Sequence, residues 1–222
     1  MTTSPFPDEA AYQQYLCALL AGDRRACRKA FESWLDTGVS LRALYQDLVR
    51  RSLYDVGFLW ERGQVSVATE HLATAITDSL LTLAYPRLFS QPHNGRSAVV
   101  TCVANEYHQI GGKMVADLFD LNGWRGYFLG ANMPMQDLLD LIRAKRPDAV
   151  AMSLTVYFSL DALVESVHAV RQEFPTTPIL VGGQAFLWGG RERVEGIAGV
   201  HYLGSLTELE TWMKSPENYA AK

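Results

Sequence analysis

The stretch AVVTCVANEYHQIGG, residues 98–112, decides how the second half of this chain is read. It opens with a six-residue apolar run, 98–103, short and rich in valine, which reads as a buried strand. A polar loop follows, Asn105-Glu106-Tyr107-His108-Gln109-Ile110, and Gly111 and Gly112 then open an amphipathic helix over 111–122. Strand, loop and helix make the first half of a βαβ unit. Downstream the alternation continues. Apolar runs at 126–129, 149–154, 178–181 and 200–203 read as strands, and stretches at 135–145, 159–173, 184–194 and 206–213 as helices. This alternation predicts a five-stranded parallel, doubly wound sheet of α/β class, with its ligand site at the carboxyl ends of the strands. From Ser215 the chain reads as a frayed tail.

Upstream, residues 8 to 90 carry no strand pattern. Apolar residues recur at helical spacing in Tyr12, Tyr15, Leu16 and Leu19, then in Ala26, Ala30, Phe31, Trp34 and Leu35. A third run over 41–59 follows Ser40, a suitable N-cap, and a fourth starts near Ser66 and continues towards Pro86. Gly22, Gly38 and Gly63 mark the breaks. Four helices with short connections predict an antiparallel four-helix bundle. The polar segment 91–95 separates the halves, giving a helical domain over 1–92 and an α/β domain over 93–222.

The 222 residues are 48% hydrophobic and 20% charged, an ordinary globular balance, and the formal net charge is −4. Neutralising phosphates needs a basic face, so direct nucleic-acid binding is not expected. No run approaches the ~20 apolar residues of a membrane span. The opening MTTSPFPDEA lacks the basic and apolar regions of a secretory signal. Cys17, Cys27 and Cys102 are odd in number and follow no metal spacing, which reads as reduced thiols in a cytoplasmic protein.

The chemistry-bearing residues sit in the loop after the first strand. Glu106 and His108 are two apart, so in extended backbone their side chains point the same way. An imidazole beside a carboxylate is a frequent metal-ligand arrangement: one ring nitrogen donates to the carboxylate and the other binds the metal. One histidine cannot build a zinc site, and no cysteine or second histidine lies at metal-ligand spacing from it. A cofactor that brings its own equatorial ligands, such as a corrin or a haem, needs only one. On the residues alone two readings stay open: a single axial ligand, or a loop histidine hydrogen-bonded to its neighbour. In the helical half, Val67 lies three before Glu70 and four before His71, with Trp60 upstream. Taken singly, these residues read as packing and solvated surface.

Glu106-x-His108-x-x-Gly111, followed by Ser153-Leu154-Thr155 and Gly182-Gly183 at the ends of the third and fourth strands, resembles the cobalamin (vitamin B12)-binding domain family. The resemblance implies a Rossmann- or flavodoxin-like cobalamin-binding domain in which His108 displaces the dimethylbenzimidazole base and becomes the lower ligand to cobalt. The base and its tail then enter a slot lined by the Ser153–Thr155 and Gly182–Gly183 segments. Many members have Asp where this chain has Glu106, and in many the serine matching Ser153 completes the relay to the imidazole. Trp60, nine intervening residues and then Glu70-His71 resembles the helical-cap signature of light-sensing, adenosylcobalamin-binding transcription regulators. There the Trp, Val, Glu and His matching Trp60, Val67, Glu70 and His71 line the pocket for the 5′-deoxyadenosyl group, on the cofactor's upper face. Such regulators carry an N-terminal winged-helix DNA-binding domain, for which this sequence leaves no room ahead of the cap. Some place a histidine directly after the Trp, where this chain has Glu61.

The resemblance therefore implies a cobalamin-dependent photosensor or regulator rather than an enzyme, with adenosylcobalamin as its light-cleavable chromophore. It would signal through a regulatory protein, a separately encoded effector or self-association, and not by touching DNA or membrane itself. The alternative is the corrinoid carrier of a methyltransferase system, which uses the same lower half; a third reading is storage or delivery of cobalamin. A carrier must expose its upper face to two enzymes and typically has the Asp form of the motif. Some photoreceptors resembling this family add a linear tetrapyrrole, and the aromatic-rich segment 184–190 offers a place for such a second, biliverdin-like chromophore. Tyr157, Phe158, Phe186 and Trp188 nevertheless read first as core or helix packing. His93, His168 and His201 have no identified partner and receive no role.

Overall fold

A strand covered on both faces has no polar side to show, and β1 (Ser97–Cys102) and β3 (Ala149–Ser153) are buried along almost their whole length. In this computed structural model, which describes residues 6–89 and 91–219, both lie inside one parallel sheet of order β2-β1-β3-β4-β5. The outer ends of the two domains read from the sequence, 1–5 and 220–222, lie outside the described residues. β2 is Arg125–Phe128, β4 is Ile179–Gly182 and β5 is Val200–Tyr202. The register sets Cys102 beside Ser153 and Ser153 beside Gly182, so three strands end level. The chain leaves β1 for β2 and returns past it to β3. That reversal opens a crevice at the carboxyl ends of β1 and β3, where doubly wound sheets place ligands.

Helices α7 (Ile110–Leu121), α8 (Met135–Lys145), α9 (Leu160–Glu173) and α11 (Leu206–Lys214) fill the connections and follow β5. The core beneath them joins Val99, Val150, Met152 and Val181 of the strands to Leu163 and Val167 of α9. Two segments differ from the sequence reading. The helix expected over 184–194 is a 3-10 turn, Gln184–Trp188, followed by the single turn α10 (Glu192–Glu195). Gly189 and Gly190 between them stand at φ 112° and 86°, values that end any right-handed helix. The tail expected to fray from Ser215 instead docks. A 3-10 turn over Pro216–Asn218 brings the Tyr219 hydroxyl to the Met213 carbonyl at 2.7 Å, and its ring meets Trp124 edge-on at 5.0 Å. The Arg96 guanidinium lies over the same ring at 4.0 Å.

The chain divides into two compact units, Met1–Arg87 and Leu88–Lys222. In the first, α1 (Glu9–Leu20) and α2 (Arg24–Asp36) are N-capped by Asp8 and Asp23. Ser40 caps a third helical stretch made of α3 (Leu41–Ala43), a π-helical segment (Leu44–Arg50) and α4 (Arg51–Glu61) without a break. Ser66 caps α5 (Val67–Leu81), and a 3-10 turn then leads into the short α6 (Tyr85–Leu88). Tyr12, Leu19, Phe31, Leu44 and Leu48 are fully buried in this unit. Among the described residues no helix is long and apolar enough to cross a membrane.

Candidate cofactor-binding site

Beyond β1 the chain turns through Asn105, at φ 64°, a conformation that asparagine tolerates better than most residues. The loops after β1 and β2 are tied reciprocally: the Asn105 amide donates to Asn132 Oδ1 at 2.9 Å, and the Asn132 amide to the Glu106 carbonyl at 2.9 Å. The Glu106 side chain is thereby held at the crevice, where the residue is 0% exposed. Its Oε1 accepts from the His108 amide at 2.9 Å and lies 2.7 Å from His108 Nδ1. Its Oε2 accepts from the amides of Thr155 at 2.8 Å and Val156 at 2.9 Å. Burial alone would push this carboxyl up. The hydrogen bonds from the His108 ring and from the His108, Val156 and Thr155 amides outweigh it and hold the group below its ordinary value. Glu106 is therefore an ionised, acceptor-only group, and the nitrogen facing it, Nδ1, carries the ring proton. A metal bond from this imidazole would then be made through Nε2; the side chain is 46% exposed.

The neighbouring small residues are explained by close backbone approach. A Cβ on Gly111 would lie 3.3 Å from Ser153 Oγ, so the first turn of α7 presses on the end of β3. A Cβ on Gly183, at φ 125°, would fall 2.0 Å from the Leu154 carbonyl oxygen, and one on Gly182 2.5 Å from that of Leu203. Gly182 and Gly183 thus sit directly against the Ser153–Thr155 segment, and the Leu154 amide donates to the Gly182 carbonyl at 2.9 Å. The Leu154 side chain is fully buried in the sheet core, so what this segment offers the crevice is backbone, together with Ser153 and Thr155. The longer Glu106 leaves the family's relay to Ser153 open from sequence, and here the carboxylate is engaged differently. Glutamate is one methylene longer than aspartate, and its second oxygen reaches the Thr155 and Val156 amides instead of the Ser153 hydroxyl. Backbone amides carry no sequence signature, so only the Glu-for-Asp difference at position 106 could have signalled them. Of the aromatic residues read as packing, Phe186 is buried against Tyr202, but Tyr157 and Trp188 are exposed and Phe158 is 96% exposed.

In the helical unit, Trp60, Val67, Glu70 and His71 flank the turn 62–66 between α4 and α5. Trp60 and Val67 are 47% and 50% exposed and stand together at this turn. Glu70 is mostly buried and holds two partners, His71 Nδ1 at 2.5 Å and the donating Thr74 hydroxyl at 2.9 Å.

Among the described residues no group of three or more His, Cys, Asp and Glu side chains could hold a metal ion by itself. The donor set is one imidazole, oriented by a buried carboxylate and exposed at a sheet crevice, which fits a metal arriving with its own equatorial nitrogens. Family models described as B12 binding domain match this chain twice, over residues 96–203 and 11–85. The chain belongs to the B12-binding family. It is a cobalamin-binding protein. This B12-binding chain is 30% identical over 143 residues to the HTH-type transcriptional repressor CarH of Myxococcus xanthus, covering 64% of this chain and 47% of that one. It is 30% identical over 148 residues to the repressor CarA of the same organism, covering 66% and 50%. The chain spans about half the length of these relatives. Among solved structures, the Methanosarcina barkeri monomethylamine corrinoid protein matches with a TM-score of 0.76 at 13% identity, covering 92% of this chain and 97% of that one. The methanol:cobalamin methyltransferase complex MtaBC of the same organism matches at 0.52 and 15% identity, covering 97% and 82%. At such identities the likeness is one of fold.

Proposed function

We propose that this B12-binding protein is a photosensory or regulatory module that carries adenosylcobalamin and passes its change of state to a partner protein or to another copy of itself. The observation that carries the reading is the side-chain set beside the α4–α5 turn. A half-exposed indole and valine stand with a carboxylate–imidazole pair, apolar surface together with hydrogen-bonding groups. A nucleoside uses both, whereas a methyl group can use only the apolar part and leaves the hydrogen-bonding groups without a ligand. The 30% identity to two transcriptional repressors points the same way.

Adenosylcobalamin supplies a cobalt–carbon bond that visible light cleaves. The chain's own residues do the rest. His108 would hold cobalt through Nε2, with Glu106 fixing its tautomer and direction. Trp60 and Val67 give apolar surface to the adenosyl group, and Glu70 accepts hydrogen bonds from ribose or adenine. Removing that group takes packing from Trp60 worth on the order of a few kcal/mol. A difference of that size shifts a two-state equilibrium substantially. The reading needs no second chromophore.

The second reading, a corrinoid carrier for methyl transfer, draws on the fold shared with the monomethylamine corrinoid protein. It uses the Glu106–His108 pair equally but leaves Trp60, Glu70 and His71 without a task. The absorption spectrum of the full chain with adenosylcobalamin, recorded in darkness and after green light, separates the two. A stable dark spectrum with histidine as lower ligand that converts on illumination is the expected result. Binding confined to methylated and reduced cobalamin, without photoconversion, would select the carrier.

A further inference from the structure

α2 begins with Arg24 and Arg25, and Arg28 follows one turn later; all three are exposed. Together with Ile76 and Leu80 of α5 and Leu83 of the turn after it, they line a groove of about 380 Å³ within the helical unit, and among the described residues no carboxylate belongs to its lining. Three features separate these arginines from an ordinary solvated face.

The first is position. The helix macrodipole favours carboxylates in the first turn and disfavours cations there. α2 has no acidic residue in that turn, and its N-cap Asp23 is committed to the Ala26 amide at 3.0 Å. Arg24 and Arg25 therefore oppose the helix they start. The second is pairing. Among the described residues the Arg24 and Arg25 guanidinium groups have neither an ion-pair nor a hydrogen-bond partner, and that of Arg28 pairs with Glu32 of its own helix, at 2.8 Å between exposed groups. The third is balance, since three guanidinium groups within five residues run against a net charge of −4. Local choices that conflict with the element they sit in mark places where the use lies outside that element.

We propose that this groove binds an acidic, amphipathic helical segment of a partner protein. Guanidinium forks match carboxylates in paired hydrogen bonds, so glutamates on the segment meet Arg24, Arg25 and Arg28. Its apolar side chains meet the half-buried Leu83 and the floor formed by Ile76 and Leu80. Nucleic-acid phosphates would answer the arginines but bring no apolar group to that floor, and a lipid surface is flat where the groove is concave. The proposal stands on the groove and holds whatever becomes of the cofactor in light.

The test uses the full chain loaded with cobalamin and a fluorescently labelled amphipathic peptide with glutamates beside one leucine stripe. A second peptide carries lysine in place of every glutamate. Fluorescence anisotropy is expected to show binding of the glutamate peptide alone, weakening as salt rises. The double variant R24E/R25E is expected to bind it at least about tenfold more weakly. Carboxylates in the first turn favour the helix, so circular dichroism and the cobalamin spectrum of that variant should match the parent. Equal binding by the variant, equal binding of the lysine peptide, or no binding of either would overturn the proposal. So would tight binding of labelled duplex DNA or phosphatidylserine vesicles with none of the peptide. An intact cobalamin spectrum beside any of these results leaves the cofactor reading standing.

Discussion

Glu106 keeps its charge in surroundings that would ordinarily discharge it, because four N–H groups, two on each oxygen, replace the water it has lost. A glutamine cannot serve both ends. Its oxygen can face the Thr155 and Val156 amides or the two His108 donors, and its NH2 then meets a donor at the other end. Glu106→Gln is therefore expected to weaken cobalamin binding by about 10–100-fold, the usual cost of losing the partner that orients a metal-bound histidine. Spectrophotometric titration with hydroxocobalamin measures it, and unchanged affinity would reduce the carboxylate to a role in folding. A second residue titrates far from the crevice. His201 packs on Trp212 at 5.9 Å, and burial first, then the Arg171 charge, hold its pKa below the ordinary histidine value. The unfolded chain therefore takes up the proton more readily. Stability from this group is complete above the usual histidine value of about 6.5 and is lost as pH falls through the lower folded value. The thermal midpoint should drop as pH falls below about 6.5, and His201→Gln should flatten that slope. A variant with the parent's slope would assign the loss elsewhere.

At the level of elements, the strands and most helices were legible because their signals are local. Buried strands print short apolar runs, and Ser40 and Ser66 sit where caps are needed, accepting from the Ala43 and Thr69 amides at 3.2 and 3.1 Å. Ser66→Ala is expected to cost about 1 kcal/mol of the helical unit's stability by chemical denaturation, loosening the start of the helix that carries Glu70 and His71. What escaped the sequence was set by distance or by backbone. Residues 44–50 have the apolar spacing of a helix, and nothing in that spacing distinguishes a π-helical segment from α. Tyr219 has no periodic context, and its place is made by Trp124, which is remote in sequence. The Gly182-Gly183 pair was legible as a motif, yet the structure supplies a reason that the motif does not: the Leu154 carbonyl occupies the space of a side chain at Gly183. Gly183→Ala combines that clash with a positive φ of 125° and should cost about 3 kcal/mol or more of the α/β unit's stability, with loss of cobalamin. A variant that unfolds and loads like the parent would show that the loop yields.

On the scale of the whole molecule, the two units carry separable parts of the proposed chemistry. His108 and Glu106 belong to the α/β unit, and Trp60, Val67, Glu70 and His71 to the helical one. If the first set holds the lower ligand position and the second selects the upper ligand, variants in the two units must differ in kind. Glu106→Gln should weaken every form of the cofactor alike, since each needs the same imidazole. Trp60→Ala should discriminate. A fully buried tryptophan costs roughly 3–5 kcal/mol on truncation to alanine. Trp60 is 47% exposed in the chain described, so the indole's contact with an adenosyl group is worth about half of that, ~2 kcal/mol or roughly thirtyfold in affinity. Hydroxocobalamin offers the indole nothing comparable. Retention of the two forms, measured in darkness by equilibrium dialysis, should therefore separate by about that factor in Trp60→Ala and not in Glu106→Gln. Equal losses in Trp60→Ala would remove Trp60 from the upper-ligand pocket.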